Sequence, residues 1–220
     1  PADLIDQHLK NYGQAPLSKG ELVYDRDICE ATGYEPDAGM KRLSLWTETI
    51  NGKPAAKHTY VMGVDIAAGG GASDSVLSVA DLQSGSKVAE FVTRHDDPQY
   101  VAGYAAALGR WFEDERGVPA LIVAEGNGPL NRAFLRKLME LSYENLYYRR
   151  SKEGSLNEKP SDMPGWGAGR NTKHELLADY AHALSTGDYV NRSLEALEEC
   201  RHYVYCADGS VEHVQARGSL

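Results

Sequence analysis

The chain has 220 residues, of which 42% are hydrophobic and 25% charged, an ordinary composition for a globular protein with a large core. Its formal net charge of −9 argues against binding nucleic acid through an overall basic field, although carboxylates gathered around cations contribute negative charge of this kind. The three cysteines lack C-x-x-C spacing, which argues against a disulfide framework or a structural zinc site. With no apolar run near the roughly 20 residues that span a bilayer and no signal-peptide pattern, we expect a protein that is neither secreted nor membrane-bound.

Residues 1–58 differ from the rest of the chain and predict a linker or lead-in segment. A weak strand pattern covers residues 20–25, and residues 32–39 are rich in turn-forming Gly, Pro and Asp. An Asn-Gly-Lys-Pro turn at residues 51–54 precedes the first strongly apolar stretch. We therefore expect the main domain to cover residues 59–220.

Residues 60–93 predict a three-stranded antiparallel meander, with strands near 60–66, 75–81 and 87–93. The connections between these strands are short, and the Gly and Ser content of the second connection is typical of a hairpin turn. Short connections imply antiparallel neighbours, because a parallel pair needs a long crossover.

A helix and then a strand-helix-strand unit follow the meander. Asp97 is a suitable N-cap, a proline stands at the first helical position, and apolar residues keep helical spacing until about residue 117. An apolar strand at 120–124, a helix near 129–142 and a short strand at 146–148 complete a unit that normally pairs its strands in parallel.

The C-terminal third begins with a polar segment, residues 151–170, which is long for a passive connection and predicts a functional loop. Two helices follow, the first ending at Gly187 and the second covering about 194–202. Residues 203–214 predict a hairpin that turns at Asp208-Gly209.

Two carboxylates stand at corresponding places in this order of elements. Asp65 lies within the apolar run 60–66, and Glu125 directly follows the apolar run 120–124, each beside glycines. Burying an unpaired ionised carboxylate costs several kcal/mol, so a carboxylate in a core strand is usually paired, protonated or bound to a metal. If the first and fourth strands are neighbours, the two side chains lie together, which predicts a shared acidic site.

This pattern resembles the ribonuclease H-like nucleases, and within them the C-terminal nuclease domain of the large terminase subunit of tailed bacteriophages. The resemblance implies an α/β fold with a mixed sheet, built from three antiparallel strands and then helix-strand-helix-strand, flanked by helices and followed by a C-terminal hairpin. The residues that carry it are 63–67 with the glycines 69–71 and Asp74-Ser75, then 123–128, then Gly165-Trp166 with Lys173.

The resemblance implies a metal-dependent endonuclease that cleaves double-stranded concatemeric viral DNA during genome packaging. Two Mg²⁺ or Mn²⁺ ions are the implied cofactors, and two such ions suit phosphodiester hydrolysis. The implied partners are double-stranded DNA, the packaging ATPase domain of the same full-length protein, the portal and the small terminase subunit, all in the host cytoplasm. No G-x-x-x-x-G-K-[ST] motif is present, so we expect no ATPase activity from this chain.

By the same resemblance, Asp65 and Glu125 are catalytic metal ligands and Asp74 is an outer ligand or a water-orienting group. A plain turn cap is an equally open interpretation of Asp74. The family's third carboxylate opens a C-terminal helix, and the sequence ends at Leu220 before such a residue, so we expect a truncated chain. Asp208 is the nearest substitute, although an Asp-Gly pair in a hairpin is far more often a turn.

Six further residues are candidates for contact with DNA. Cations can meet backbone phosphates, and an exposed tryptophan can stack on a base. The structural alternatives are that these residues form an ordinary charged strand end, that the cations are solvated on the surface, and that the tryptophan anchors its loop. The six candidates are Arg149, Arg150, Lys152, Trp166, Arg170 and Lys173.

Two other functions remain open from the sequence. Gly63-Val64-Asp65 followed by a glycine-rich hairpin also resembles the first phosphate loop of actin- and sugar-kinase-like nucleotide-binding domains. A catalytically incomplete module that docks on DNA or on the portal is the non-enzymatic alternative.

Overall fold

A computed structural model describes residues 2–149, 161–167, 169–205 and 211–213 of the chain. From residue 60 onward the elements follow the predicted order with one exception: where a short strand was predicted at residues 146–148, the structure has only isolated bridges, from Leu146 to Ile122 and from Tyr148 to Gly165. In chain order the elements are α1 (Ala2–Tyr12), β1 (Ser18–Asp25), β2 (Glu30–Pro36), β3 (Leu43–Leu45), β4 (Tyr60–Asp65), β5 (Ser75–Asp81), β6 (Ser86–Thr93), α2 (Pro98–Trp111), β7 (Leu121–Ala124), α3 (Pro129–Glu140), α4 (Arg170–Thr186), α5 (Leu194–Cys200), β8 (Tyr203–Tyr205) and β9 (Val211–His213).

Seven strands form one mixed sheet in the order β2-β1-β3-β6-β5-β4-β7. Within this sheet the strands β4, β5 and β6 pair antiparallel as the predicted meander. The pairing of β4 with β7 is parallel and joins residues 61–64 to residues 121–124. The predicted α/β class, with a mixed sheet flanked by helices, is confirmed, and so is the adjacency of the first and fourth predicted strands.

The segment predicted as a lead-in is structurally continuous with this sheet. It supplies α1 and the strands β1, β2 and β3, and β3 connects the other two to β6. The outermost strand, β2, gives a weak sequence signal because it lies at the sheet edge and has no buried residue, whereas β1 and β3 lie within the sheet. An amphipathic strand pattern needs a buried face, and an edge strand of this kind hardly has one.

One face of the sheet is closed by α2 and α3. Fully buried side chains of this face, among them Met62, Leu77 and Phe91, belong to the same core cluster as the helices. Phe91 stacks on Tyr104 of α2 with a centroid distance of 3.8 Å. The helix begins as predicted, since the Asp97 side chain accepts hydrogen bonds from two backbone N–H groups, but it has 14 residues and ends before the predicted stop.

The second face of the sheet is only partly covered. The Lys87 N–H on β6 donates to the Val190 carbonyl (2.9 Å), and the Ser193 hydroxyl at the start of α5 donates to Glu90 Oε1 (2.9 Å). Glu90 also pairs with Lys87, and both side chains are buried. These contacts attach the segment from α4 to α5 over β5 and β6. The carboxyl ends of β4 and β7 lie beyond this cover, and that uncovered edge holds the candidate site.

The C-terminal elements agree with the prediction where they are described. α4 ends before Gly187, which takes the left-handed φ of 79° that suits glycine at a helix end. β8 and β9 pair antiparallel as a separate two-stranded sheet, and the turn predicted at Asp208-Gly209 lies outside the described residues. Among the helices in the described ranges, none has the length and apolar character needed to cross a bilayer.

Candidate metal centre

Asp65 and Glu125 stand at corresponding positions of neighbouring parallel strands. β4 and β7 pair in register from Val61 with Leu121 to Val64 with Ala124, and the next residues of the two strands are the two acids. Parallel neighbours lie about 4.8 Å apart, and partners in register project to the same face. The structure therefore brings the two predicted acids together on the face of the sheet opposite α2 and α3.

The structure corrects one premise about Asp65. The residue is exposed rather than buried in a core strand, while Glu125 is partly buried. Burial in β4 falls on Tyr60 and Met62, which face the helices, whereas Asp65 is the last residue of the strand and belongs to the uncovered face. Because the carboxylate is exposed, its charge carries little desolvation cost, and its oxygens are accessible to a ligand from solvent.

Trp166 lies directly beside Glu125. Its backbone N–H donates to the Ala124 carbonyl (3.0 Å), and its carbonyl accepts from the Gly126 N–H (2.8 Å), so Trp166 pairs in parallel with Glu125. Gly165 has a φ of +107°, and a Cβ added there would lie 2.8 Å from Gly126 Cα. This close approach of two glycine backbones produces a row of Asp65, Glu125 and Trp166 across the end of the sheet.

A cleft of about 730 Å³ opens between this face of the sheet and α4. α4 contributes Thr172, Glu175, Leu176 and Asp179, whose spacing of three, four and seven residues places them on one side of the helix. The acids Glu175 and Asp179 were missed by the sequence analysis, although their helical spacing after Trp166 was available as a signal. From the sheet and the connections near it, the cleft is lined by Gly63, Val64, Asp65, Val76, Ser78, Val123, Tyr147 and Trp166.

Asp74 forms an ion pair with the guanidinium of Arg94. Arg94 Nε and Nη2 donate to its two carboxylate oxygens, both at 2.8 Å. The hydrogen bonds from Arg94 lower the pKa of Asp74, and the partial burial of the carboxylate opposes this only in part. The ionised form that a metal-linked role requires is therefore favoured, while its role as an outer ligand stays a prediction. Arg94 itself carried no signal in the sequence.

Of the predicted DNA-contact residues, Trp166 lines the cleft, and Arg149 and Lys173 lie next to residues of its walls. The guanidinium of Arg149 packs against the backbone of Gly167, next to Trp166. Lys173 is exposed on the first turn of α4, one residue after the cleft-lining Thr172. Arg150 and Lys152 lie outside the described residues, as does the side chain of Arg170, whose backbone begins α4.

The two neighbouring acids fit a hard divalent cation as a partial ligand set. Mg²⁺ is usually bound through one or two carboxylates together with several waters and substrate phosphates. Within the described residues, no group of three or more His, Cys, Asp or Glu side chains is arranged to hold a metal ion. Asp65 and Glu125 are thus suited to a site whose remaining positions are supplied by solvent and substrate.

Comparison with known proteins gives the fold. No protein-family profile and no curated protein matches the chain. The cobalt-bound large terminase nuclease from thermophilic phage G20c superposes with a TM-score of 0.58 at 18% identity, over 88% of this chain and 87% of that one. The magnesium-bound form gives 0.56 at 17% identity over 88% and 87%, and the large terminase nuclease domain of Thermus phage P74-26 gives 0.50 at 16% over 94% and 83%. The chain therefore has the fold of the phage large terminase nucleases.

Proposed function

We propose that the chain is a metal-dependent DNA endonuclease that cuts double-stranded viral DNA during genome packaging. The observation that carries the proposal is the register of β4 with β7, which aligns Asp65 with Glu125 on one open face. Two solved structures of the same fold are described as terminase nucleases bound to cobalt or magnesium, which supports a divalent cation at this position.

In the proposed reaction, Asp65 and Glu125 would hold two divalent cations, Mg²⁺ or Mn²⁺. When bound, such ions activate a water and stabilise the charge on the leaving oxygen of a phosphodiester. The exposure of Asp65 leaves its side of the site open to the DNA backbone. Arg149, beside Trp166, supplies a positive group for a neighbouring phosphate.

The proposal includes the partners expected for such a module. These are double-stranded DNA, a packaging ATPase domain in the same full-length protein, the portal and the small terminase subunit, with the host cytoplasm as the place of action. Asp74 serves as an outer group near the cations, where a bound cation competes with Arg94 for its carboxylate.

Plasmid digestion tests the proposal. We expect cleavage with Mg²⁺ and with Mn²⁺, none with EDTA, and a loss of about 100-fold or more in Asp65→Asn and Glu125→Gln. Glu140→Gln is the matched control, because Glu140 is an exposed acid of α3 that pairs with Lys137 on the other side of the sheet. Cleavage that survives the substitution of Asp65 or Glu125 removes the assigned site. DNA binding without any metal-dependent cutting favours the docking module instead.

A further inference from the structure

The cleft that Asp65 lines combines acidic groups with apolar ones such as Val76, Val123 and Leu176. These apolar groups are an unusual surface for a site that meets only a charged DNA backbone. We infer that this cleft receives unpaired nucleotides, with a base packed on Trp166, so that the strand is cut where the duplex is locally open. This inference rests on the proposed nuclease function and adds the form of the DNA that enters the site.

The position of Trp166 is defined by its backbone. Its hydrogen bonds with Ala124, the last residue of β7, and with Gly126 flank Glu125, and the contact between Gly165 and Gly126 fixes the approach of the chain. Trp166 is partly exposed and lines the cleft. An aromatic ring next to a metal-binding acid is placed to hold the nucleotide that adjoins the phosphate under attack.

The opposite wall is apolar at its centre and acidic on either side. Leu176 of α4 lines the cleft with 52% of its surface exposed, one residue from Glu175 and three from Asp179. A volume of about 730 Å³ falls within the range of pockets that enclose small organic ligands. The space between Leu176 and the sheet is thus sufficient for planar groups of nucleotide size.

The charged groups of the two walls favour different orientations for the phosphates and the bases of a bound strand. Glu175 and Asp179 repel phosphates from the α4 side, whereas Arg149 attracts them on the side of Trp166. A paired duplex turns phosphates and sugars outward and keeps the faces of its bases stacked inside, so it offers little to an apolar wall. An unpaired strand exposes those faces, and stacking on an aromatic side chain tolerates every base.

Intrinsic fluorescence reads the contact directly. Trp46 and Trp111 are buried, at 8% and 3% exposure, so Trp166 is the accessible tryptophan of the chain. In the Asp65→Asn chain with Mg²⁺, we expect short oligo(dT) to quench tryptophan emission and a G·C-clamped duplex of equal length to leave it unchanged. With fluorescently labelled oligo(dT), anisotropy should show about tenfold weaker binding when Trp166→Ala is added and near-normal binding with Trp166→Phe.

Two leucine variants, one in the cleft and one outside it, test the opposite wall. They keep the inference testable if the Trp166 variant fails to fold. Leu176→Ala should weaken oligo(dT) binding several-fold, while Leu130→Ala, a 37% exposed leucine on α3, should leave it unchanged. In cleavage assays, a forked substrate should be cut about tenfold faster than the clamped duplex, and Trp166→Ala should remove this preference.

The outcomes separate the inference from the proposed function. Equal quenching by duplex and oligo(dT), or no quenching by oligo(dT), overturns the inference even if the plasmid is cut in an Asp65-dependent way. Selective quenching that Leu176→Ala weakens supports the inference even if the chain cuts no DNA, in which case the nuclease proposal alone fails.

Discussion

Arg94 donates two hydrogen bonds of 2.8 Å to the carboxylate of Asp74, on the loop that follows the strand of Asp65. A cation at the proposed centre therefore competes with a guanidinium for this acid. In Arg94→Gln, we expect half-maximal cleavage at a Mg²⁺ concentration a few-fold lower, since exposed ion pairs contribute little and are readily replaced. A Mg²⁺ titration of plasmid cutting measures this.

Arg116→Gln provides the control for the loss of one surface arginine, because Arg116 also donates two guanidinium hydrogen bonds to an aspartate, both to one oxygen of Asp114, at a different place. It should leave the Mg²⁺ dependence unchanged. A higher Mg²⁺ requirement in Arg94→Gln contradicts a metal-linked role for Asp74 and supports a structural ion pair.

The close contact between Gly165 and Gly126 should be sensitive to a single methyl group. Gly165→Ala adds a Cβ within 2.8 Å of Gly126 Cα at a positive φ, so we expect a loss of about 1–3 kcal/mol in the free energy of unfolding and displacement of Trp166. Gly117→Ala isolates the backbone strain, because Gly117 has a φ of +73° and nothing within 4 Å of an added Cβ. Urea denaturation compares the two, and an equal loss in both variants argues against steric contact.

The buried pair of Lys87 and Glu90 should matter more for stability than a surface pair. Both side chains are almost inaccessible, and Glu90 also accepts from the Ser193 hydroxyl, so Glu90→Leu leaves an unpaired buried ammonium. We expect a loss of about 3–5 kcal/mol, much of it recovered in the double variant Lys87→Met/Glu90→Leu. Removing the exposed Glu140 from its pair with Lys137 should change stability by less than about 1 kcal/mol. A double variant no more stable than Glu90→Leu contradicts this.

His8 should make the stability of the chain depend on pH. Burial lowers the pKa of His8 below 6.5, and its contacts with the backbone of Leu184 and Asn191 offset this only in part. The unfolded chain then binds more protons than the folded one, so the contribution of neutral His8 is complete above pH 6.5 and is lost as the pH falls through the lowered pKa.

The difference between the parent chain and His8→Gln, measured by urea denaturation across this range, isolates the effect. His8→Gln should flatten the decline in stability below pH 6.5. His182→Gln, at an exposed position of α4, should leave the decline unchanged. If His8→Gln leaves the pH dependence of the unfolding free energy unaltered, the loss of stability below pH 6.5 comes from other groups.

The sequence was sufficient to predict the central strands because each has an apolar side that is buried in the core. It also predicted the acidic pair, because Asp65 ends β4 and Glu125 directly follows β7. It was insufficient for β2, whose residues are not buried, and for the exposure of Asp65, which depends on where the second helical layer stops. The spacing of Glu175 and Asp179 was visible, but the direction in which α4 presents them is a result of tertiary packing.

The proposed active centre depends on the register in which β4 pairs with β7. Side chains alternate along a strand, so slipping β7 by a single residue would turn Glu125 toward the helices and bring a neighbour into line with Asp65. Insertions in the loops leave this alternation intact, whereas one inserted residue within either strand inverts it. A longer connection would therefore leave the proposed centre intact, whereas a change in the number of residues within either of these short strands would separate its two acids.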